Sequence, residues 1–214
     1  MKKLFVFLLS ITVVVLCLSC EKDDPSVLSG DQSAMGEVGV TVESSSVEIA
    51  GVSDASATVI TLKSGVSSFS GSATVKNEFL KNLLANIPGI TITGDKVSAT
   101  NMEYKITKEG FECKTGPGAG ILVKYGSSVG DTYKIGTTGQ VRTVVAKTGV
   151  DDYPYGFYLI KVIKVEETPS YLKSSAGVTK ITYIANHKFG LVGVLATFDD
   201  ETTAEFPIYT SVEN

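Results

Sequence analysis

From Glu37 onward the chain alternates. In "VGVTVES", "ATVITLKS" and "SFSGSATVK" apolar and polar residues trade places at every second position, and turn residues separate the runs. A period of two, rich in Val, Ile and Thr, predicts strands. "ITITG" continues the pattern, and "MEYKITKEGFECK" reads as a hairpin turning at Glu109-Gly110. "GILVKYG", "DTYKIG" and "QVRTVVAKTG" follow. "YGFYLIKVIKVEE" is the longest strand candidate, with Phe157, Leu159, Lys161, Ile163 and Val165 on one face. The chain ends as a meander of "VTKITYIAN", "KFGLVGVLATF" and "TAEFPIYTS", turning at Asn186-His187-Lys188 and at Asp199-Asp200-Glu201-Thr202. Pro207 lies inside the last run. It has no N–H for a ladder, which predicts an edge strand.

One segment has a different period. "NEFLKNLLANIPG" places Phe79, Leu83 and Ile87 four residues apart, with Leu80 and Leu84 beside them. Asn77 is a suitable N-cap, Glu78 suits the positive helix end, and Pro88-Gly89 stops the run. A helix of this length is marginal alone, so its apolar stripe must lie on a sheet or plug a barrel end. Helices do not alternate with strands elsewhere, which argues against βαβ units. The expected fold is all-β: an antiparallel β-sandwich, with a β-barrel as the alternative, and one short helix at about 78–87. Residues 37–214 form a single β-rich domain in this reading.

The N-terminus follows neither pattern. Lys2 and Lys3 precede an apolar run from Leu4 to Leu18, broken only by Ser10 and Thr12. At about 1.5 Å per residue the run is too short for a hydrocarbon core of roughly 30 Å, but it has the length of a signal-peptide core. It ends in Cys17-Leu18-Ser19-Cys20, then Glu21, Lys22, Asp23 and Asp24. Residues 21–36 show no periodicity and read as a tether.

The stretch Cys17 to Cys20 resembles the lipobox of bacterial lipoproteins. It departs from the family pattern in carrying Cys17 where leucine is usual. The resemblance implies cleavage after Ser19 and a lipid on Cys20, with residues 1–19 a signal peptide and 20–36 a lipidated tether. "CEKDD" resembles the surface-export signal of Bacteroidetes lipoproteins, which implies that Lys22, Asp23 and Asp24 direct the protein to the outer membrane, facing outward. A solvated tether is the plainer reading of the same charges. "KITKEGFECK", "VGDTY", "DDYPYGFYLIKVIKVEE" and "ANHKFGLVGV" are similar to segments of an uncharacterised group of Bacteroidetes lipoproteins. That similarity implies a shared extracytoplasmic β-domain and no activity.

Composition narrows the function. The formal charge of the 214 residues is −4, and loss of residues 1–19 removes two lysines and no acid. An acidic chain with Arg142 as its single arginine is unsuited to nucleic acid, which demands phosphate neutralisation. With Cys20 lipidated, Cys113 is the one thiol left, and no intramolecular disulfide can form.

Candidate chemistry is sparse. His187, the single histidine, falls in a short turn, where it needs no catalytic role. Cys113 shares a strand face with Phe111 and reads as a buried small hydrophobe. One histidine and one thiol make a zinc site implausible, and no cofactor motif is present: "GPGAG" at 116–120 leads into a strand and lacks the Lys-Ser/Thr of a phosphate loop. Asp151-Asp152 and Asp199-Asp200-Glu201 lack the spacing of a calcium loop. Tyr153 and Tyr155 flank Pro154. Exposed, they would form a platform for a sugar ring or a protein partner; buried, they cap the core. The sequence thus points to a non-enzymatic binding or structural protein, tied to the membrane through Cys20. A glycan-binding accessory protein and an adhesin or pilus-type subunit are the alternatives, with a glycan or an envelope protein as partner.

Overall fold

The computed structural model describes residues 27–45, 51–85, 87–116, 118–136, 139–169 and 177–214. Residues 1–19, Cys20, and Lys22, Asp23 and Asp24 lie outside them. The strands are β1 (Thr41–Ser44), β2 (Val52–Lys63), β3 (Val66–Val75), β4 (Ile90–Thr93), β5 (Lys96–Thr107), β6 (Gly110–Cys113), β7 (Gly120–Lys124) and β8 (Thr132–Lys134). They continue as β9 (Val141–Lys147), β10 (Tyr153–Tyr155), β11 (Tyr158–Ile160), β12 (Ile163–Glu167), β13 (Val178–Asn186), β14 (Gly190–Phe198) and β15 (Thr203–Thr210). Among the described residues one α-helix, α1, spans Glu78–Leu84, and a single 3-10 turn covers Ala34–Gly36.

The expected all-β antiparallel fold is what the chain forms. One 13-stranded sheet runs β7-β6-β5-β3-β2-β1-β15-β14-β13-β12-β9-β8, with β4 beside β5. Its two end strands, β7 and β8, come close to one another, so the sheet is nearly closed. The result is a flattened barrel. Its halves face each other as sandwich layers do, but the strand path is continuous around one side. Phe69, Ile106, Phe111, Ile121 and Val123 of one half share a core with Val144, Ile163, Val165 and Ala185 of the other. Gly190 marks the closest approach: a Cβ there would stand 2.7 Å from Met35 Sδ and 3.1 Å from the Phe111 ring.

Bulges give the long strands their curvature. The β2–β3 and β3–β5 ladders each shift register, at Ser53/Ser56 and at Phe69/Gly71. Asp54 (φ 54°) and Asn101 (φ 57°) take left-handed backbone at these shifts. Asp54 is held there by hydroxyls of Ser53 and Thr74, which donate to its carboxylate at 2.9 and 3.2 Å.

Four expectations need correction. The proposed tether is, in its second half, part of the domain. Leu28 and Met35 are core residues, Gln32 bridges Thr107, and Ser33 N donates to Ile106 O at 3.0 Å. Apolar spacing too sparse to read as a strand still buries side chains in the core. The helix stops at Leu84, short of 87; Asn77 caps it as expected, accepting from Leu80 N at 3.2 Å. Pro207 is not on an edge. β15 pairs with β14 through Thr203–Pro207 and with β1 through Ile208–Thr210. Proline sits opposite Gly193 at the end of the β14 ladder, where the strand passes on to β1. "YGFYLIKVIKVEE" is not one strand: Gly156 (φ 57°) and Phe157 turn the chain, making β10 and β11 a separate hairpin before β12.

The seam between β7 and β8 has no ladder of its own. Arg142, on β9, reaches across it: Nη1 donates to Ile121 O at 3.0 Å and Nη2 to Gly118 O at 2.6 Å. Its Nε lies 2.6 Å from Glu167 Oε2, and both side chains are completely buried. Tyr183 stacks on the guanidinium at 5.4 Å and donates its hydroxyl to Glu167 Oε1 at 3.1 Å. Gly136 N to Ala119 O (2.8 Å) and Lys124 N to Tyr133 Oη (3.3 Å) complete the closure.

Candidate functional site

Between the two halves of the barrel the core is not filled. A cavity of about 520 Å³ is lined by side chains of both halves, among them Phe69, Met102, Tyr104, Phe111, Leu122, Leu191, Val194 and Ile208. Ile87 and Pro88, with Thr115, Gly116 and Gly118, also line it. A second, more open hollow of about 410 Å³ adjoins it and is lined in part by Leu80 and Leu84 of α1. The two share Val42, Ala57, Gly71, Ala99 and Ile208.

The register explains why this space is open. Thr210, Val42, Ala57, Gly71 and Ala99 are cross-strand neighbours in one row through β15, β1, β2, β3 and β5. Small side chains therefore stand side by side in the middle of the wall. Gly71 cannot be enlarged in place, because a Cβ would fall 2.5 Å from Ser56 O and 2.7 Å from Ala57 Cβ. Protein interiors are ordinarily filled to crystal-like density. A partly open apolar space in the size range of ligand sites, roughly 300–1,000 Å³, departs from that rule and is the default place for a ligand.

Few polar groups face the cavity. Tyr104 meets the Phe69 ring edge-to-face at 5.6 Å, and burial drives its hydroxyl well above the ordinary 10.0. Cys113 is half-buried and donates to Thr115 O at 3.1 Å; burial raises its thiol above 9.0. Both groups are thus neutral near pH 7. A lining of neutral hydroxyl and thiol among apolar side chains suits a greasy chain.

The residues singled out in the sequence fall in separate places. Cys113 and Phe111 do share a face, and that face lines the cavity. His187 is an exposed turn residue whose carbonyl accepts from Asn214 Nδ2 at 2.7 Å. Its neighbour Asn186 shapes the turn, accepting from Lys188 N and Phe189 N and donating to Lys161 O. Tyr153 and Tyr155 do not form an open platform. Tyr155 is 8% exposed and stacked between Phe189 (4.8 Å) and Tyr209 (5.2 Å), and Tyr153 donates its hydroxyl to Glu205 at 2.6 Å. Asp200 accepts from Thr202 N and Oγ1, and these bonds hold its carboxyl below the usual range. Among the described residues no three His, Cys, Asp or Glu side chains are grouped as a metal would require.

These features define an all-β barrel-like domain with an apolar interior cavity. No protein-family model matches the chain, and neither a curated protein nor a solved structure gives a match.

Proposed function

We propose that this is a non-enzymatic binding protein, held at the outer membrane by a lipid on Cys20 and displayed outward through Lys22, Asp23 and Asp24, which takes an apolar ligand into its barrel. The supporting observation is the cavity of about 520 Å³ between the two halves of the sheet, lined by Phe69, Met102, Phe111, Leu122 and Leu191. Water there would meet few hydrogen-bond partners, and apolar cavities of this kind accept apolar guests. An acyl or polyisoprenoid chain suits the lining better than a sugar ring, whose hydroxyls would lose water without replacement.

The test is a titration of the purified full chain with a fluorescent fatty-acid analogue. Ala99→Phe, which places a ring in the shared wall, should weaken binding at least tenfold while leaving the circular dichroism spectrum unchanged. Binding that is undiminished in a folded Ala99→Phe protein would remove the cavity from the proposal.

A further inference from the structure

The hairpin β10–β11 ends in a patch of apolar surface. Phe157 is fully exposed, and Tyr158 and Leu159 are 68% and 59% exposed. Pro154, opposite Leu159 in the hairpin, is exposed as well. The hairpin stands apart from the main sheet, yet its base is fixed. Tyr155 and Ile160 are buried against Ile184 and Val192, and Tyr153 is bonded to Glu205. A rigid base presenting a greasy tip is a device for contact, because single domains rarely leave such a cluster uncovered.

Three further observations say what covers it. First, the tip lies at the end of the barrel where the chain enters. Ser33 Oγ donates to Asn214 Oδ1 at 2.5 Å, and Asn214 is bonded to His187 O and Lys188 O in the β13–β14 turn. The next residue, Phe189, stacks on Tyr155 at the hairpin base. Second, the same end carries other exposed apolar residues. Val129 follows Tyr125 and Ser127, whose carbonyls accept from Lys147; Val150 follows Lys147 itself. Tyr125 N in turn donates to Glu109 O, and Glu109 accepts from Ser29 beside the incoming chain. Third, the path from Cys20 to Leu28 is short. Fully extended, at about 3.3–3.6 Å per residue, it spans less than roughly 30 Å.

We infer that the β10–β11 hairpin lays Phe157, Tyr158 and Leu159 into the lipid surface to which Cys20 anchors the protein. The inference rests on the anchor proposed above. A tether this short, attached to the same end as the tip, keeps the tip within reach of headgroups. Aromatic and aliphatic side chains at a loop apex partition into that interfacial layer. The domain then stands end-on, with α1 and the β14–β15 turn pointing away from the bilayer.

The sequence contains no tryptophan, which supplies the test. The full chain with Phe157→Trp is reconstituted on phosphatidylethanolamine–phosphatidylglycerol vesicles, with Lys96→Trp, at the opposite end of β5, as the control. Lipids brominated along the acyl chain should quench the fluorescence at position 157 at least threefold more than at 96. Leu159→Trp serves equally if the first variant misfolds. Protein that floats with vesicles but shows equal quenching at both positions overturns the hairpin inference alone. Protein that stays with the vesicle-free fraction and carries no lipid on Cys20 by mass spectrometry overturns the anchor, and the inference with it.

Discussion

Arg142→Met is the substitution whose cost can be worked out most fully. It removes a guanidinium that is completely buried, leaving Glu167 buried at the far side of a former 2.6 Å contact with Tyr183 as a remaining donor. Breaking a buried ion pair from one side costs about 3–5 kcal/mol. The carbonyls of Ile121 and Gly118 also lose their donor, and unsatisfied buried acceptors cost about 1–3 kcal/mol each, less where water can reach them. A loss of at least about 3 kcal/mol is therefore expected. At about 2–4 °C per kcal/mol for a chain of this size, the melting point should fall by roughly 6 °C or more. Replacing both partners, Arg142→Met with Glu167→Leu, removes the orphaned charge and should recover about 2 kcal/mol or more of the loss. Urea melts followed by circular dichroism give the energies. Hydrogen exchange at the Gly136 and Lys124 amides reports on the seam directly, since both donate across it. A single variant that loses less than 1 kcal/mol, or a double variant no more stable than the single, would refute the reasoning that this pair closes the barrel.

Other outcomes follow from the same structure. Gly71→Val should destabilise by more than about 2 kcal/mol in a chemical melt, because its Cβ has no room beside Ser56 O and the strands must separate. Stability should be flat from neutral pH to about 9 and fall above it: Cys113 and Tyr104 ionise near 9.0 and 10.0 when unfolded but are held protonated by burial in the fold. The unfolded chain then releases protons that the native state keeps, which favours unfolding as pH rises; a melting point constant from pH 8 to 11 would contradict this. Cys113 should react slowly with a maleimide at pH 7, and more slowly still when a fatty-acid analogue is bound, as read by mass spectrometry. His187→Ala should leave the melting point within about 2 °C, because the turn is held by Asn186 and not by the imidazole.

Much of the fold was legible because it is written locally. The strands of the final meander, the capped start of the helix at Asn77, and the turn after Thr107 each follow from a few adjacent residues. Apart from the end of the helix, the misreadings required knowledge of a distant partner. Alternation runs through Gly156 without a break, and only packing of Tyr155 against Phe189 and Tyr209 turns that point into a hairpin tip. Pro207 signals an edge in isolation, but β15 changes neighbours there. Arg142 looked informative only as a missing phosphate clamp, whereas its binding partners lie on β7 and β12. The cavity was the least visible feature. Ala57, Gly71 and Ala99 are ordinary small residues in three separate strands, and their meaning lies in a register that aligns them.

The pairing of β1 with β15 bears on how the protein comes to be. Thr41 and Ser211, which are hydrogen-bonded at this junction, are 170 residues apart. The hairpin-connected strands of each half can pair as neighbours, but the barrel is not joined until the last strand has arrived. Loop closure over that distance is entropically costly, and topologies dominated by such contacts fold slowly. If the chain is exported as proposed above, it must cross a membrane before folding, and late joining of the barrel is then an advantage. The finished wall, and with it the cavity, cannot form until β15 has paired with β1, because Ile208 and Thr210 of β15 line the space. On that proposal the polypeptide stays threadable until its last strand is delivered, and the interior space is created only after transfer.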